Sequence, residues 1–451
     1  MAGSDASADA RGESAPGRSP HTEAKAAVAK GAYGALAVLF LINVVNYTDR
    51  QILSILMEPI RQDLGLNDTQ LGLLSGLAFA LFYAVMGIPI ARAADRFSRR
   101  NIIALALFAW SGLTALCGFA QSFGQLMLAR IGVAVGEAGS APPSHSILAD
   151  LFPHGRRSTA LAVLSAGAPL GVLFGLAIGG IVNELFNWRV AFIVAGAPGL
   201  VLMVVLLLFV REPVREGTSA APADPPAEGG RSAASTLSVL ARLWAIPSFR
   251  ALSYAAALQA FTAYGVTQWS PTFFIRTFGV GTAQLGLSLG LMGGLAAAIG
   301  TIVFGNLADR LGRRDPRWFA WLPAITVALC VPFNAAVFFA PSFPLALVAL
   351  VIPSLLSNAF AAPTYATIQS IVPPQMRSTA SAFLLLIMAV IGMGLGPQAI
   401  GLLSDAFKAA AGADSLRWAM TALLVVQAAA AWRFLAAARN LGTDLEKAGV
   451  R

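Results

Sequence analysis

Charged residues, histidine and cysteine are scarce in this sequence. Only 12% of its 451 residues are Asp, Glu, Lys or Arg, about half the share of a soluble domain. Two cysteines, Cys117 and Cys330, exclude a disulfide framework, and both fall inside apolar runs as small hydrophobes do. The three histidines, His21, His145 and His154, have no metal-ligand spacing with one another, so no metal site is expected. Ser144-His145-Ser146 reads as a polar helix end and not as a nucleophile with its base. No Walker-type glycine loop is present, which argues against nucleotide drive. Neither a cofactor nor enzymatic chemistry is expected.

What fills the chain is apolar surface, 57% of all residues. A helix needs about 20 such residues to cross a hydrocarbon layer roughly 30 Å thick. Twelve runs of that kind are found near 33–57, 69–91, 101–120, 125–148, 159–182, 190–210, 249–275, 283–308, 318–339, 343–371, 379–403 and 416–436. They are continuous and do not alternate, so they predict helices and not the strands of a membrane barrel. The fold class expected is an all-α polytopic membrane protein.

The formal net charge of +9 would fit a nucleic-acid partner, but its placement does not. If both termini lie on the cytoplasmic side, 24 of the 31 Lys and Arg fall in cytoplasmic tails and loops. Arg61, Arg189, Arg276, Lys408 and Arg417 fall outside, and Arg50 and Arg130 lie within runs. This is the positive-inside asymmetry and sets the expected orientation. Arg outnumbers Lys 27 to 4, in keeping with a GC-rich bacterial genome and thus an inner membrane.

Residues 1–30 are polar and lack the apolar core of a signal peptide, so they read as a disordered cytoplasmic tail. Two units of six runs follow, 31–210 and 248–437, and then a short tail, 438–451. Between them, 211–247 is a cytoplasmic linker rich in Pro, Ala and Gly. Its end predicts a short helix with a stripe of Leu237, Val239, Leu240, Leu243 and Trp244, lying on the membrane surface with Arg242 toward headgroups.

The units repeat each other. Ala91-Arg92-Ala93-Ala94-Asp95-Arg96-Phe97-Ser98-Arg99-Arg100 is answered by Gly305-Asn306-Leu307-Ala308-Asp309-Arg310-Leu311-Gly312-Arg313-Arg314. Pro153-His154-Gly155-Arg156-Arg157-Ser158-Thr159 is answered by Pro373-Pro374-Gln375-Met376-Arg377-Ser378-Thr379, and the Gly/Pro-rich fifth run by the eleventh. Such recurrence is the mark of tandem structural repeats.

This arrangement resembles the major facilitator superfamily, whose Gly-x-x-x-Asp-Arg-x-Gly-Arg-Arg signature the second copy matches fully. The first copy has Ala91 and Ser98 in place of glycine, which suggests a looser turn. The resemblance implies two pseudo-symmetric six-helix bundles that rock about a central cavity. It also implies a gating role for Asp95, Arg96, Arg99, Arg100, Gly305, Asp309, Arg310, Gly312 and Arg313. On this reading Asp95 and Asp309 sit near helix N-termini, where a carboxylate is stabilised. The glycines and prolines of the fifth and eleventh runs read as packing and sliding sites.

Charges inside a membrane run are costly and mark function by default. Asp49 and Arg50 lie in the first run, and Arg130 and Glu137 in the fourth. No run of the second half contains an acid by this assignment. Seven residues apart, Arg130 and Glu137 share one helix face, about 10.5 Å apart along the axis. Asn43, Asn46, Tyr47 and Arg50 form one polar face, with Asp49 about 100° away. Wet and dry states favour opposite protonation of a carboxylate, so Asp49 and Glu137 are the candidates for proton coupling. A permanent ion-pair cluster joining two helices is the competing reading. Arg50 and Arg130 suit an anionic substrate group or serve as partners of the acids. Across the cavity, Tyr264, Trp269, Asn358 and Tyr365 supply aromatic and polar contacts suited to an amphipathic ligand.

Within the superfamily, Asn46-Tyr47-Thr48-Asp49-Arg50, Arg130/Glu137 and Gly136-Glu137-Ala138 followed by Pro142-Pro143 resemble the Spinster branch. That resemblance implies a monomeric, proton-coupled carrier of a lysophospholipid or sphingosine-phosphate-like lipid, in contact with the bilayer. The alternative is a carrier of a small organic anion or a drug-like amphiphile.

Overall fold

A computed structural model describes residues 31–213, 233–373 and 376–447. The tails 1–30 and 448–451 and most of the predicted linker lie outside the described residues. All regular structure among the described residues is helical.

The first bundle comprises α1 (Ala32–Leu64), α2 (Asp68–Arg96), α3 (Arg99–Cys117), α4 (Phe123–Glu137 and Ala141–Leu151), α5 (His154–Ser165 and Gly167–Leu185) and α6 (Trp188–Phe209). The second comprises α7 (Pro247–Phe278), α8 (Thr282–Gly312), α9 (Trp318–Phe338), α10 (Phe343–Leu356 and Ala361–Ile371), α11 (Arg377–Ile387, Met388–Leu395 and Gly396–Ala411) and α12 (Ser415–Lys447). Among the described residues, nine stretches are long and apolar enough to cross a bilayer, and one of these, Arg377–Glu446, is the pair α11 and α12. The helices α4 and α7 are not among them, because both carry polar residues along their length, Arg130, Glu137 and His145 in α4 and Gln259, Gln268 and Arg276 in α7.

Local chemistry sets the ends. Gly65 and Gly279 adopt left-handed φ of 64° and stop α1 and α7 at matching points of the two repeats. Asn67 opens α2 with a capping box to Gln70, and Ser98, Ser122 and Asn187 cap α3, α4 and α6. The first helix extends to Leu64, past the expected edge at 57, so Glu58 lies inside it.

Small residues set the packing. In α5, Gly167, Gly171, Gly175 and Gly179 recur every four residues and face α1. A methyl group on Gly171 would collide with the Val44 carbonyl and with Tyr47. The glycines of the fifth run are therefore helix-contact sites.

Three buried apolar clusters show how the bundles meet. One is confined to the first bundle and includes Leu39, Leu107 and Trp110. Another is confined to the second and includes Phe249, Val327 and Phe434. The third runs through both bundles, from Ile52, Leu71 and Leu176 to Phe273, Leu285 and Ile400. The shared cluster lies away from the basic turns that join α2 to α3 and α8 to α9. We call the side with those turns the basic face and the other the far face. The bundles are joined toward the far face and carry separate cores toward the basic face.

The seam helices α2, α5, α8 and α11 each depart from regular geometry along their length. π-helical turns occupy Leu73–Leu77, Leu289–Gly294 and Met388–Leu395, and α5 is interrupted at Ala166. π-turns concentrate at functional positions of long helices.

The helix predicted before the second bundle spans Ala233–Ala245. Leu243 is fully buried, and Val239, Leu240 and Trp244 pack on the second bundle's core. Trp244 stacks edge-on with Phe249, Tyr254 and Phe383. Val239, Leu240, Leu243 and Trp244 of its apolar stripe are thus covered by protein, while Arg242 is exposed.

Candidate functional site

At the centre of the first bundle, α1 and α4 bring Arg50 against Glu137. Arg50 Nε donates to Glu137 Oε2 at 2.5 Å. Glu137 is 1% exposed, at the last residue before α4 breaks, whereas the Arg50 side chain keeps 21% of its surface. Neither terminal nitrogen of Arg50 has a hydrogen-bond partner among the described residues. Three rings frame the guanidinium, with centroids 4.5 Å (Tyr83), 5.3 Å (Phe79) and 5.5 Å (Tyr47) away. Such ring contacts hold a cation in place without neutralising it.

Asp49, the next residue, points the other way, as the 100° step of a helix requires. It is fully buried in the bundle. Thr114 of α3 donates to its Oδ2 at 3.4 Å, and its Oδ1 has no hydrogen-bond partner among the described residues. Arg130 is 2% exposed and reaches Asp49 only through the backbone, Nη1 to the carbonyl oxygen at 3.4 Å. Its guanidinium lies 5.2 Å from the centre of the Phe79 ring. The four charges expected in one network therefore divide into one direct ion pair, Arg50–Glu137, and two neighbours whose charged ends do not touch. Asn46 is buried on the same face, and its amide nitrogen makes no hydrogen bond among the described residues.

The second bundle contributes less than predicted. Tyr264 of α7 is 47% exposed and lies within electrostatic reach of Arg50, Tyr47 and Tyr83. Tyr365 of α10 is half-buried, with its hydroxyl 3.9 Å from the Met388 sulfur. Asn358 is exposed at the break in α10. Trp269 does not face the cleft: it is fully buried and its Nε1 donates to the Pro397 carbonyl at 2.8 Å. Its indole joins α7 to α11, two helices that approach closely where Gly265 meets Gly396. Beside the ion pair, Tyr47 also lines a cavity of about 250 Å³ together with Asn43, Ser140, Ser144, His145 and Ser165.

The two signature turns differ. Arg99 is buried and bonds Asp150 at 2.5 Å, Glu212 at 2.9 Å and Ser146 at 2.8 Å. Glu212 also accepts from the Arg100 amide at 2.8 Å and from Ser98 at 2.8 Å. Burial works against ionisation of Glu212, but these bonds prevail and hold its carboxyl below the usual glutamate value. Asp95 and Asp309 lie in the last turns of α2 and α8, not at helix N-termini as expected. The helical phrase continues through Arg96 and Gly312, and the N-terminus of α3 is served by Ser98 and Glu212 instead. In the second copy, Asp309, Arg310 and Arg313 are exposed. Gly312 packs under the Phe319 ring, while Gly305 faces open space. Arg96 is exposed as well.

Sequence patterning did not single out Phe79, Tyr83 or Thr114. Phe79 and Tyr83 stand four apart on α2, a spacing that places two rings on one helix face. Thr114 left no signal, because one hydroxyl in an apolar helix is common.

The sequence profile described as Major Facilitator Superfamily matches residues 39–397. The chain belongs to that superfamily. It is a membrane transporter, not an enzyme. An MFS-type efflux pump of Mycolicibacterium smegmatis is 37% identical over 421 residues, 92% of this chain and 95% of the pump. Protein spinster of Drosophila melanogaster is 27% identical over 391 residues, 84% of this chain and 63% of its own. A crystal structure of a bacterial homologue of the human lysosomal transporter Spinster, in an inward-facing and unoccupied conformation, superposes with a TM-score of 0.81. It is 32% identical, over 92% of this chain and 98% of that one. The superfamily fold with its Spinster-like character is thus established for this transporter.

Proposed function

We propose that the protein moves an amphipathic anion, of the lysophospholipid or sphingosine-phosphate type, by proton-coupled alternating access. The observation that carries this reading is the Arg50–Glu137 pair. A guanidinium stands in a cleft framed by Tyr83, Phe79 and Tyr47, with its one carboxylate partner shielded from solvent. When Glu137 takes a proton, Arg50 loses its counter-charge and is left to bind an anionic headgroup through its free terminal nitrogens. The apolar and aromatic surroundings suit the rest of an amphiphile. Asp49, with an oxygen that lacks a partner, is the second proton candidate.

The basic face is assigned to the cytoplasm on the positive-inside rule, with both termini there and the protein a monomer in a bacterial inner membrane. With the bundles joined toward the far face, the arrangement is that of an inward-facing state, as in the similar Spinster homologue. The units are assigned as 31–210 and 248–437, joined by 211–247. In the signature turns, Asp95, Arg96, Arg99, Arg100, Asp309, Arg310 and Arg313 act in gating, with Arg99 tying the start of the linker to α4.

A second reading is transport of a small hydroxylated acid. A hexuronate transporter of Bacillus subtilis is 32% identical over 185 residues, 41% of this chain and 44% of its own. The cavity lined by Asn43, Ser140, Ser144, His145 and Ser165 offers hydroxyl partners. Thermal-shift titration of the purified protein against lysolipids, sphingoid phosphates and sugar acids at pH 5.5 and 7.5 (about two units apart) tests both. Stabilisation by lysolipids that strengthens at the lower pH is expected. Stabilisation by sugar acids alone would overturn the lipid reading.

A further inference from the structure

The far face holds an ionic arrangement that neither repeated motif contains. Arg276, near the end of α7, reaches across to the first bundle. Its Nε donates to Glu58 Oε2 at 2.7 Å, and its two terminal nitrogens donate to Asp68 Oδ2 and Oδ1 at 2.8 and 2.7 Å. Glu58 is 2% exposed and Asp68 is fully buried. Ser404 of α11 adds a bond to Asp68 Oδ2 at 2.6 Å. The Arg276–Asp68 contact is the two-pronged pairing that a guanidinium makes best.

Two further contacts follow the internal symmetry. Asp405 of α11 accepts from the Thr69 amide at 2.7 Å and from the Asp68 amide at 3.2 Å, in the first turn of α2. Glu184 of α5 accepts from the Ala283 amide at 2.8 Å, in the first turn of α8. Each bundle thus sends a carboxylate to the N-terminus of the other bundle's second helix, where the helix dipole favours it. Around both caps the seams are closed by glycine: a methyl group on Gly401 would strike the Asp68 carbonyl, and one on Gly180 the Thr282 carbonyl.

We infer that Arg276, Asp405 and Glu184 form the lock that holds the far face shut, and that transport requires all three contacts to break and re-form in each cycle. Every bond named runs between bundles, so the lock adds nothing to the stability of either bundle alone. The parts are also kept ready for reclosure. Glu58 stays bonded to Arg61 at 2.7 Å and to Gln62 at 3.0 Å within its own helix, so it remains oriented when Arg276 withdraws. Arg276 is a positioning residue here and touches no substrate.

The test is a distance measurement across the far face. Gln121 and Ala413 are exposed there, one on each bundle, and the native cysteines are buried. Spin labels on Gln121→Cys and Ala413→Cys report the separation by double electron–electron resonance at one pH, without substrate. The unmodified lock is expected to give a single short population. Arg276→Gln, and separately the pair Asp405→Asn and Glu184→Gln, are expected to add a longer one, and Arg276→Lys to return part of it to the short distance. If the variants melt as the parent does and keep its single distance, the lock is refuted. If Arg276→Gln does not fold, the milder Asp405→Asn and Glu184→Gln pair decides by the same readout. The measurement is independent of what is carried, so it stands or falls separately from the lipid reading.

Discussion

Arg50 donates its Nε to Glu137 at 2.5 Å, across 87 positions of sequence, while its terminal nitrogens make no hydrogen bond among the described residues. That division of labour ties the anion site to a single protonatable partner. Glu137→Gln retains the shape but removes the charge. A charge-assisted hydrogen bond is worth roughly 1.5–3 kcal/mol, so proton-driven uptake into proteoliposomes is expected to fall about tenfold or more. Substrate counterflow, which needs no gradient, should persist. Arg50→Lys keeps the charge but loses the flat fork over Tyr83, and should weaken substrate binding in both assays. Unchanged gradient-driven uptake in Glu137→Gln would remove Glu137 from the mechanism.

Thr114 gives Asp49 its one side-chain hydrogen bond among the described residues. Thr114→Val preserves volume and leaves a buried carboxylate with no donor, a loss of about 1–3 kcal/mol. The expected result is a lower melting temperature in detergent, with Thr114→Ser close to the parent. Equal melting of the Val and Ser variants would mean that Asp49 does not depend on this hydroxyl.

Glycines of the same type should differ sharply in tolerance. A methyl group on Gly286 meets the Leu176 backbone across the α5/α8 seam, and overpacking of this kind costs about 1–3 kcal/mol. Gly305 opens the second signature copy yet faces open space, so Gly305→Ala should melt within about 0.5 kcal/mol of the parent. The first copy already carries Ala91 there. A reversed order of the two melting temperatures would refute this packing account.

Glu212 links stability to pH. Its carboxyl lies below the usual value of about 4.3 because Arg100, Arg99 and Ser98 bond the ionised form despite burial. A depressed value means that the stabilisation is complete above the ordinary pKa and is lost as pH falls through the depressed one. The melting temperature of Glu212→Gln should therefore trail the parent at pH 7 and approach it as the pH falls below about 4. A gap that stays constant across that range would show that Glu212 acts by shape and not by charge.

Much of this was legible in the residues. The runs of apolar sequence, the repeat of the basic turns and the unusual charges Asp49, Arg50, Arg130 and Glu137 all follow from composition and period. Periodicity also placed Arg50 and Asp49 on different faces of α1. It did not separate Trp269 from Tyr264: five residues apart in one helix, the first is sealed against α11 and the second opens to the cleft. Nor did it mark Glu58, Asp68 or Asp405, which sit at the predicted edges of runs and look like ordinary end charges.

The sequence by itself determined that the chain is two similar sets of membrane helices with the acids buried inside runs confined to one set. Helix formation and burial in lipid are local matters, decided by backbone satisfaction and side-chain polarity over twenty residues. Only the tertiary structure decided which charges meet. Arg276 and Asp68 are 208 positions apart, and Asp405 and Thr69 are 336. Their pairing depends on how glycine-lined surfaces of two bundles fit together on one face and part on the other.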